Sequence, residues 1–221
     1  AFNLFYGFFI LPESLKKDKR RKFDLRRANP IGTLLSLKKY PLITGLLVCI
    51  VLFNIAQHST HSTWTFFTIE KFDWTEKLVG YSLGFIGLLA AIVQGGLIRI
   101  IIPKFGNIKS VYLGMFFYII GLFLFSIASE GWMVFAFAIP LSLGGISGPA
   151  LQGIMTNKIP DDEQGEFQGG MTSLVSLTAI IGPILMTNLF SFFTSNESSI
   201  YFPGAPFVLA AILSVFGLII A

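Results

Sequence analysis

Charged residues are scarce in this chain of 221 residues: only 13% are Asp, Glu, Lys or Arg, against about 25% in an average soluble domain. Hydrophobic residues make up 53%, and 24 residues are phenylalanine. A surface with so little charge excludes an ordinary water-soluble domain. The composition indicates a chain that lies mostly in lipid.

Cysteine and histidine are almost absent. The single cysteine, Cys49, excludes a disulfide within the chain. The two histidines, His58 and His61, have no third ligand nearby in the sequence, so no metal site is expected. No phosphate loop or nucleophile elbow is present, and we predict neither an enzyme nor a bound cofactor.

Long apolar runs predict an all-α membrane protein, because lipid cannot satisfy exposed backbone groups and a barrel needs short alternating strands. We expect 1–12 to end a transmembrane helix, 13–40 to form a basic linker and 41–221 to form a helical bundle. Both ends fall inside apolar runs, so we expect an excerpt of a longer protein. The predicted full spans are 42–67, 78–102, 110–128, 132–156 and 167–193, and a partial span begins near Pro206.

The basic residues are divided unequally between the two predicted sides of the membrane. Of 16 lysines and arginines, 14 lie in the linker and two further loops on one side, whereas only Lys71 and Lys77 lie on the other. This asymmetry predicts that the basic linker is cytoplasmic. Contact with anionic membrane lipid is the alternative role of the linker, and no nucleic-acid partner is expected.

Polar residues cluster in the first full span. Asn54, Gln57, His58 and His61 follow the spacing i, i+3, i+4 and i+7, which is typical of one helical face. Polar side chains are costly inside a bilayer, so this face is predicted to line a water-accessible cavity, with packing against polar neighbours as the alternative. Either histidine could carry a proton, although a neutral, hydrogen-bonded imidazole is the favoured interpretation.

Three further candidates for substrate contact are Gln94, Tyr118 and Gln152. Taken singly, each is more typical of packing or capping than of ligand binding. Gln152 follows a glycine-rich run that ends at Pro149, and this combination predicts a kinked helix beside a cavity. No Asp or Glu lies inside a predicted full span. A coupling carboxylate is therefore expected in the other half of the protein, unless a histidine replaces it.

Several motifs resemble the major facilitator superfamily, and within it the twelve-helix drug/proton antiporters related to tetracycline efflux pumps. They are Leu11-Pro12-Glu13-Ser14, Phe72-Asp73-Trp74, Gly144-Gly145-Ile146, Pro149-Ala150-Leu151-Gln152, Gln164-Gly165-Glu166-Phe167-Gln168-Gly169 and Gly182-Pro183. The resemblance implies the C-terminal six-helix half of such a protein: the end of helix 6, helices 7–11 and the start of helix 12. Substrate would bind between this half and an N-terminal half.

The resemblance also bears on individual residues. Asn54 and His58 stand where the family places polar groups in helix 7, and Gln94 and Gln152 match glutamines of tetracycline pumps. Tyr118 stands where those pumps carry an aspartate in helix 9, so a substrate other than tetracycline is expected. The family's loop motif between helices 8 and 9 is reduced to Lys104, Gly106 and Lys109, with Pro103 at its acidic position.

These observations predict a secondary active transporter in a bacterial inner membrane. It would export a small, drug-like organic compound in exchange for protons, by alternating access. The predicted substrate-binding residues are Asn54, Gln57, His58, His61, Gln94, Tyr118 and Gln152. A nutrient uptake symporter of the same fold is the first alternative, and a non-transporting membrane sensor is the second.

Overall fold

A computed structural model describes Tyr6, Phe9, Ile10 and residues 41–195 and 198–221. The predicted segments 1–12 and 13–40 therefore lie outside the described residues, apart from those three positions. Throughout the described part the regular structure is helical and includes no strand, which confirms the predicted all-α class.

Seven α-helices follow one another along the described chain. They are α1 (Pro41–Phe72), α2 (Glu76–Ile92), α3 (Ile98–Ile127), α4 (Gly131–Leu143), α5 (Ser147–Thr156), α6 (Gln164–Thr194) and α7 (Ala205–Ile220). A π-helical turn, Val93–Leu97, joins α2 to α3, and a 3-10 turn, Gly144–Ile146, joins α4 to α5. Within the described residues, four continuous helical stretches are long and apolar enough to cross a membrane, and α7 is a shorter apolar helix.

The stretch from Glu76 to Ile127 is 52 residues long. A straight helix of this length would measure about 78 Å, far more than the roughly 30 Å of a bilayer core. Gly106 interrupts it with φ 77° and ψ 166°, a conformation that favours glycine. The interruption falls between the predicted spans 78–102 and 110–128, so a single non-helical residue separates the two spans.

The first span is longer than predicted. Helix α1 continues past residue 67 to Phe72, and Asp73 follows it with a positive φ of 51°. Glu70 and Lys71 therefore lie in the last turn of the helix and not in a loop. The predicted boundary was placed where the hydropathy falls, but charged residues continue a helix once it leaves the apolar layer.

Packing divides the interior into two clusters. Helix α1 packs against α6 and α7, α3 packs against α4, α5 and α7, and α2 packs against α4. An aromatic cluster includes Trp64, Phe67, Phe125 and Phe207, and the rings of Phe67 and Phe207 lie 4.7 Å apart, edge to face. An aliphatic and sulfur-containing cluster fills the bundle near the start of α1. The candidate site lies beside the aromatic cluster.

Candidate functional site

A cavity of about 460 Å³ lies between α1, α2, α3 and α4. This volume falls within the range of small-molecule sites. Most of its wall is aromatic or aliphatic, and hydrogen-bonding side chains enter it from α1, α3, α4 and the π-helical turn, whereas α2 contributes only apolar side chains. The polar members of the wall are Gln57, Thr60, His61, Thr65, Gln94, Tyr118 and Ser142.

Helix α1 supplies one continuous ridge of this wall. Gln57, His61 and Thr65 are successive members of an i, i+4, i+8 series, so their side chains lie one above another. The hydroxyl of Thr60 donates to the Gln57 carbonyl oxygen at 2.8 Å and is satisfied within the helix. Among the described residues, the side chains of Gln57 and His61 form no hydrogen bond, which leaves both available to a bound molecule.

Trp64 forms a rigid part of the same wall. Its side chain is 3% exposed, and its indole Nε1 donates to Ser82 Oγ of α2 at 3.0 Å. Its ring meets Phe125 edge to face at 5.2 Å between centroids. A buried indole with its N–H satisfied and its ring packed holds one orientation. Trp64 therefore presents a fixed aromatic surface to the cavity.

Gln94 reaches the cavity from the π-helical turn between α2 and α3. Such turns are rare and occur often at functional sites, because the wider turn displaces side chains from the regular helical register. Gly145 lies opposite: a Cβ added there would be 3.8 Å from Gln94 Nε2. An added methyl group would thus be in ordinary van der Waals contact with the amide.

Tyr118 enters from α3 and is 5% exposed. Its ring lies 4.9 Å from that of Phe53, between centroids. A Cβ at Gly144 would come within 2.6 Å of Tyr118 Cβ, so only glycine allows the 3-10 turn to approach the tyrosine this closely. The glycine-rich run, predicted to kink a helix beside a cavity, is thus a 3-10 turn in the cavity wall.

Three predicted site residues lie outside this cavity. Asn54 Nδ2 donates to the Ile50 carbonyl oxygen of its own helix at 2.9 Å. His58 packs against Gly182 of α6. Gln152 is exposed on α5, where its amide lies 3.5 Å from Gln168 Oε1, at the limit of a hydrogen bond. The structure therefore brings together Gln57, His61, Gln94 and Tyr118, and a role for the other three remains a prediction.

Three polar residues of the wall, Thr60, Thr65 and Ser142, are not among the predicted substrate-binding residues. Thr65 continues the series of Gln57 and His61 by one turn, so extending the periodicity would have found it. Ser142 stands alone in the apolar run of α4, and no spacing in the sequence singles it out.

The described ranges hold no group of three or more His, Cys, Asp or Glu residues placed to bind a metal ion. The rings of His58 and His61 lie 6.2 Å apart and edge to face, which is a packing arrangement. The wall instead offers amides, hydroxyls, one imidazole and aromatic surfaces. These groups are suited to binding an organic molecule by stacking and hydrogen bonding.

A family model for the Major Facilitator Superfamily matches residues 1–183. The chain belongs to the major facilitator superfamily. This confirms the resemblance found in the sequence. Together with the membrane-length helices, it identifies the chain as part of an integral multi-pass membrane protein of a transporter family.

Three proteins illustrate what this chain is similar to over much of its length. A class C tetracycline resistance protein of Escherichia coli is 31% identical over 86% of this chain and 48% of its own length. A class E tetracycline resistance protein of Escherichia coli is 36% identical over 67% of this chain and 37% of its own length. Hippocampus abundant transcript-like protein 1 of Homo sapiens is 24% identical over 96% of this chain and 46% of its own length. This chain thus spans less than half the length of these three relatives.

Proposed function

We propose that this chain is the C-terminal half of a secondary active transporter that exports an organic compound in exchange for protons. The cavity between α1, α2, α3 and α4 supports this proposal, because Gln57, His61, Gln94 and Tyr118 converge there from segments far apart in the sequence. The similarity to two proteins named for tetracycline resistance supports export of a drug-like compound.

The cavity is the part of the substrate site that this half contributes. An N-terminal half would close it from the opposite side, and alternating access would follow from rocking one half against the other. Trp64 and Tyr118 are packed firmly enough to keep their positions during such a motion. The asymmetry of 14 basic residues against two places the start of α1 on the cytoplasmic side in this proposal.

The group that exchanges the proton is assigned to the N-terminal half in this proposal. Among the described residues that line the cavity, none is Asp, Glu, Lys or Arg, and His61 is the only histidine. A carboxylate that exchanges protons at membrane depth would therefore come from the N-terminal half, while this half recognises substrate.

Transport by the full-length protein tests the proposal. Proteoliposomes that carry a trapped pH-sensitive dye are exposed to a panel of drug-like compounds, and at least one compound should drive proton movement in the opposite direction to its own. Gln57→Ala should reduce this flux, whereas Gly84→Ala should not, since an added Cβ at Gly84 meets nothing within 4 Å.

The direction of flux separates the alternatives. Protons that move in the same direction as the compound would replace the proposal with a nutrient symporter of the same fold. A protein that binds compounds but moves neither them nor protons would leave the sensor interpretation.

A further inference from the structure

Buried hydroxyls on the described helices are mostly satisfied by their own helix. The serine hydroxyls donate to a backbone carbonyl three or four residues earlier, as membrane helices commonly allow. Examples are Ser110 to Gly106, Ser126 to Phe123, Ser147 to Gly144 and Ser214 to Ala210, at 2.6–2.8 Å.

Two hydroxyls in the cavity wall depart from this pattern. Tyr118 Oη and Ser142 Oγ are buried and have no hydrogen-bond partner among the described residues. Both residues line the cavity. Ser59 Oγ is also unpartnered, but Ser59 does not line the cavity, and nothing in the structure explains it.

An unpaired buried hydroxyl costs free energy, since it has lost its hydrogen bonds to water without replacing them. Neither oxygen is exposed to solvent here, so bulk water does not satisfy it. Ser142 also differs from Ser147, five residues later, whose hydroxyl is bonded within the helix. Two such costs at a single cavity suggest that a bound molecule supplies the missing acceptor.

The surrounding wall specifies the shape of that molecule. Phe53 and Trp64 present aromatic surfaces, and both rings are held by neighbours: Phe53 by Tyr118, and Trp64 by Phe125. Flat aromatic molecules gain most from stacking on rings that are already fixed. The described wall contains no Asp, Glu, Lys or Arg, which favours an uncharged ligand.

We propose that Tyr118 and Ser142 determine specificity by donating hydrogen bonds to an oxygen acceptor of an uncharged, planar aromatic compound held against Phe53 and Trp64. This inference rests on the proposed function, of which it names the substrate class. Both oxygens have almost no exposed surface in the structure, so binding requires a change in side-chain conformation: rotation about the Cα–Cβ bond turns Ser142 Oγ towards the cavity, and a shift of the Tyr118 ring uncovers its hydroxyl.

A matched pair of probes tests this. 9-Fluorenone and fluorene are flat tricyclic molecules of nearly equal size, and only the ketone has an oxygen acceptor. Binding to the full-length protein in nanodiscs is measured by equilibrium dialysis, and empty nanodiscs correct for partitioning into lipid. The wild type should bind fluorenone about tenfold more tightly than fluorene, the ratio expected from one or two neutral hydrogen bonds.

Three substitutions test whether the hydroxyls of Tyr118 and Ser142 cause the preference for fluorenone. Tyr118→Phe and Ser142→Ala should each weaken fluorenone binding about three- to tenfold and leave fluorene binding unchanged. Ser147→Ala, the matched control, should change neither affinity, because Ser147 does not line the cavity and its hydroxyl is already bonded to the Gly144 carbonyl oxygen. A preference for fluorenone that survives in both variants, or the binding of neither probe, would overturn the proposal.

Thermal unfolding without ligand supplies a second readout. Tyr118→Phe and Ser142→Ala should keep or raise the melting temperature, because each removes a buried hydroxyl that has no partner. Ser147→Ala should lower it. Loss of stability in both cavity variants would show that the hydroxyls already have partners within the protein, which would overturn the proposal.

The binding assay requires no transport. A protein that shows the fluorenone preference but moves no compound would overturn the proposed function and leave Tyr118 and Ser142 as determinants of ligand binding only. A protein that transports, but whose binding ignores the ketone, would overturn only this inference.

Discussion

Helix α1 has two polar faces that meet different surroundings. On one, Gln57 and His61 line the cavity. On the other, His58 packs so closely against Gly182 of α6 that a Cβ at Gly182 would overlap the imidazole ring. The two histidines are separated by about 60° around the helix axis. A polar residue on the packed face stabilises a helix contact, whereas one on the open face is available to a ligand.

The packed face has contacts along its length. The rings of Phe66 and Phe190 lie 6.3 Å apart between centroids. Near the end of α1, Glu70 accepts a hydrogen bond from Tyr201, in the segment between α6 and α7, at 3.0 Å. Helix α1 thus packs on α6 and α7, and its other face forms one wall of the cavity.

The largest effect is expected from disrupting the packed face. Gly182→Ala should destabilise the protein by about 1–3 kcal/mol, the usual cost of overpacking a filled contact. The new methyl group would meet not only the His58 ring but also His58 Cβ, at 3.0 Å, which cannot rotate away. Thermal unfolding of the full-length protein in nanodiscs measures the loss.

Gly169→Ala is the matched control, since Gly169 lies in the same helix and an added Cβ there meets nothing within 4 Å. It should be neutral or slightly stabilising. In a His58→Ala background, Gly182→Ala should lose the part of its cost that arises from the imidazole ring and keep the part that arises from Cβ, as expected for two residues in contact. Equal costs of Gly182→Ala with and without His58 would contradict the assignment of this contact.

The difference between the two faces can be measured by chemical accessibility. In a Cys49→Ala background, His61→Cys should react several-fold faster with a water-soluble maleimide than His58→Cys. The reason is that His61 is exposed on the cavity side, whereas His58 is partly buried against α6. Removal of Cys49, which is buried, leaves the introduced cysteine as the one thiol of these 221 residues, and any cysteine elsewhere in the full-length protein is replaced as well. Equal labelling rates would contradict the assignment of His61 to the open face and His58 to the packed face.

The spacing of residues in α1 predicted a polar face but not its division. Gln57 and His61 belong to one row of side chains, and Asn54 and His58 to the next. All four fit within the width of a single amphipathic face. Which row meets a cavity and which meets another helix depends on where α2 and α6 lie, and the local sequence does not contain that information.

In other parts of the site, too, the sequence predicts a local feature but not its neighbours in three dimensions. Hydropathy located the membrane-length segments, because the need to satisfy backbone groups in lipid leaves few alternatives. The glycine-rich run predicted a kinked helix beside a cavity, and the structure has a 3-10 turn in the cavity wall there, where Gly144 admits Tyr118. Ser142 could not be found, because a serine in an apolar helix is usually satisfied by its own backbone. Only the three-dimensional structure shows that its hydroxyl is not.

The smallest effect is expected at the end of the packed face. Tyr201→Phe removes the hydrogen bond to Glu70 and should lower the stability by less than about 1 kcal/mol, because Tyr201 is 60% exposed. Thermal unfolding should show a lower melting temperature for Tyr201→Phe than for the wild type at neutral pH. Tyr81→Phe, at an exposed tyrosine on α2, is the control and should have no effect.

The pH dependence of this difference identifies its origin. Partial desolvation, the hydrogen bond to Glu70 and the negative charges of Glu70 and Asp73 raise the pKa of Tyr201 above its ordinary value of 10.0. The folded protein therefore holds the phenol proton more tightly than the unfolded chain does. The stabilisation is complete below pH 10 and is lost as the pH rises through the raised pKa. A difference between wild type and Tyr201→Phe that persists undiminished well above pH 10 would mean that the ring, and not its hydroxyl, anchors this end of α1.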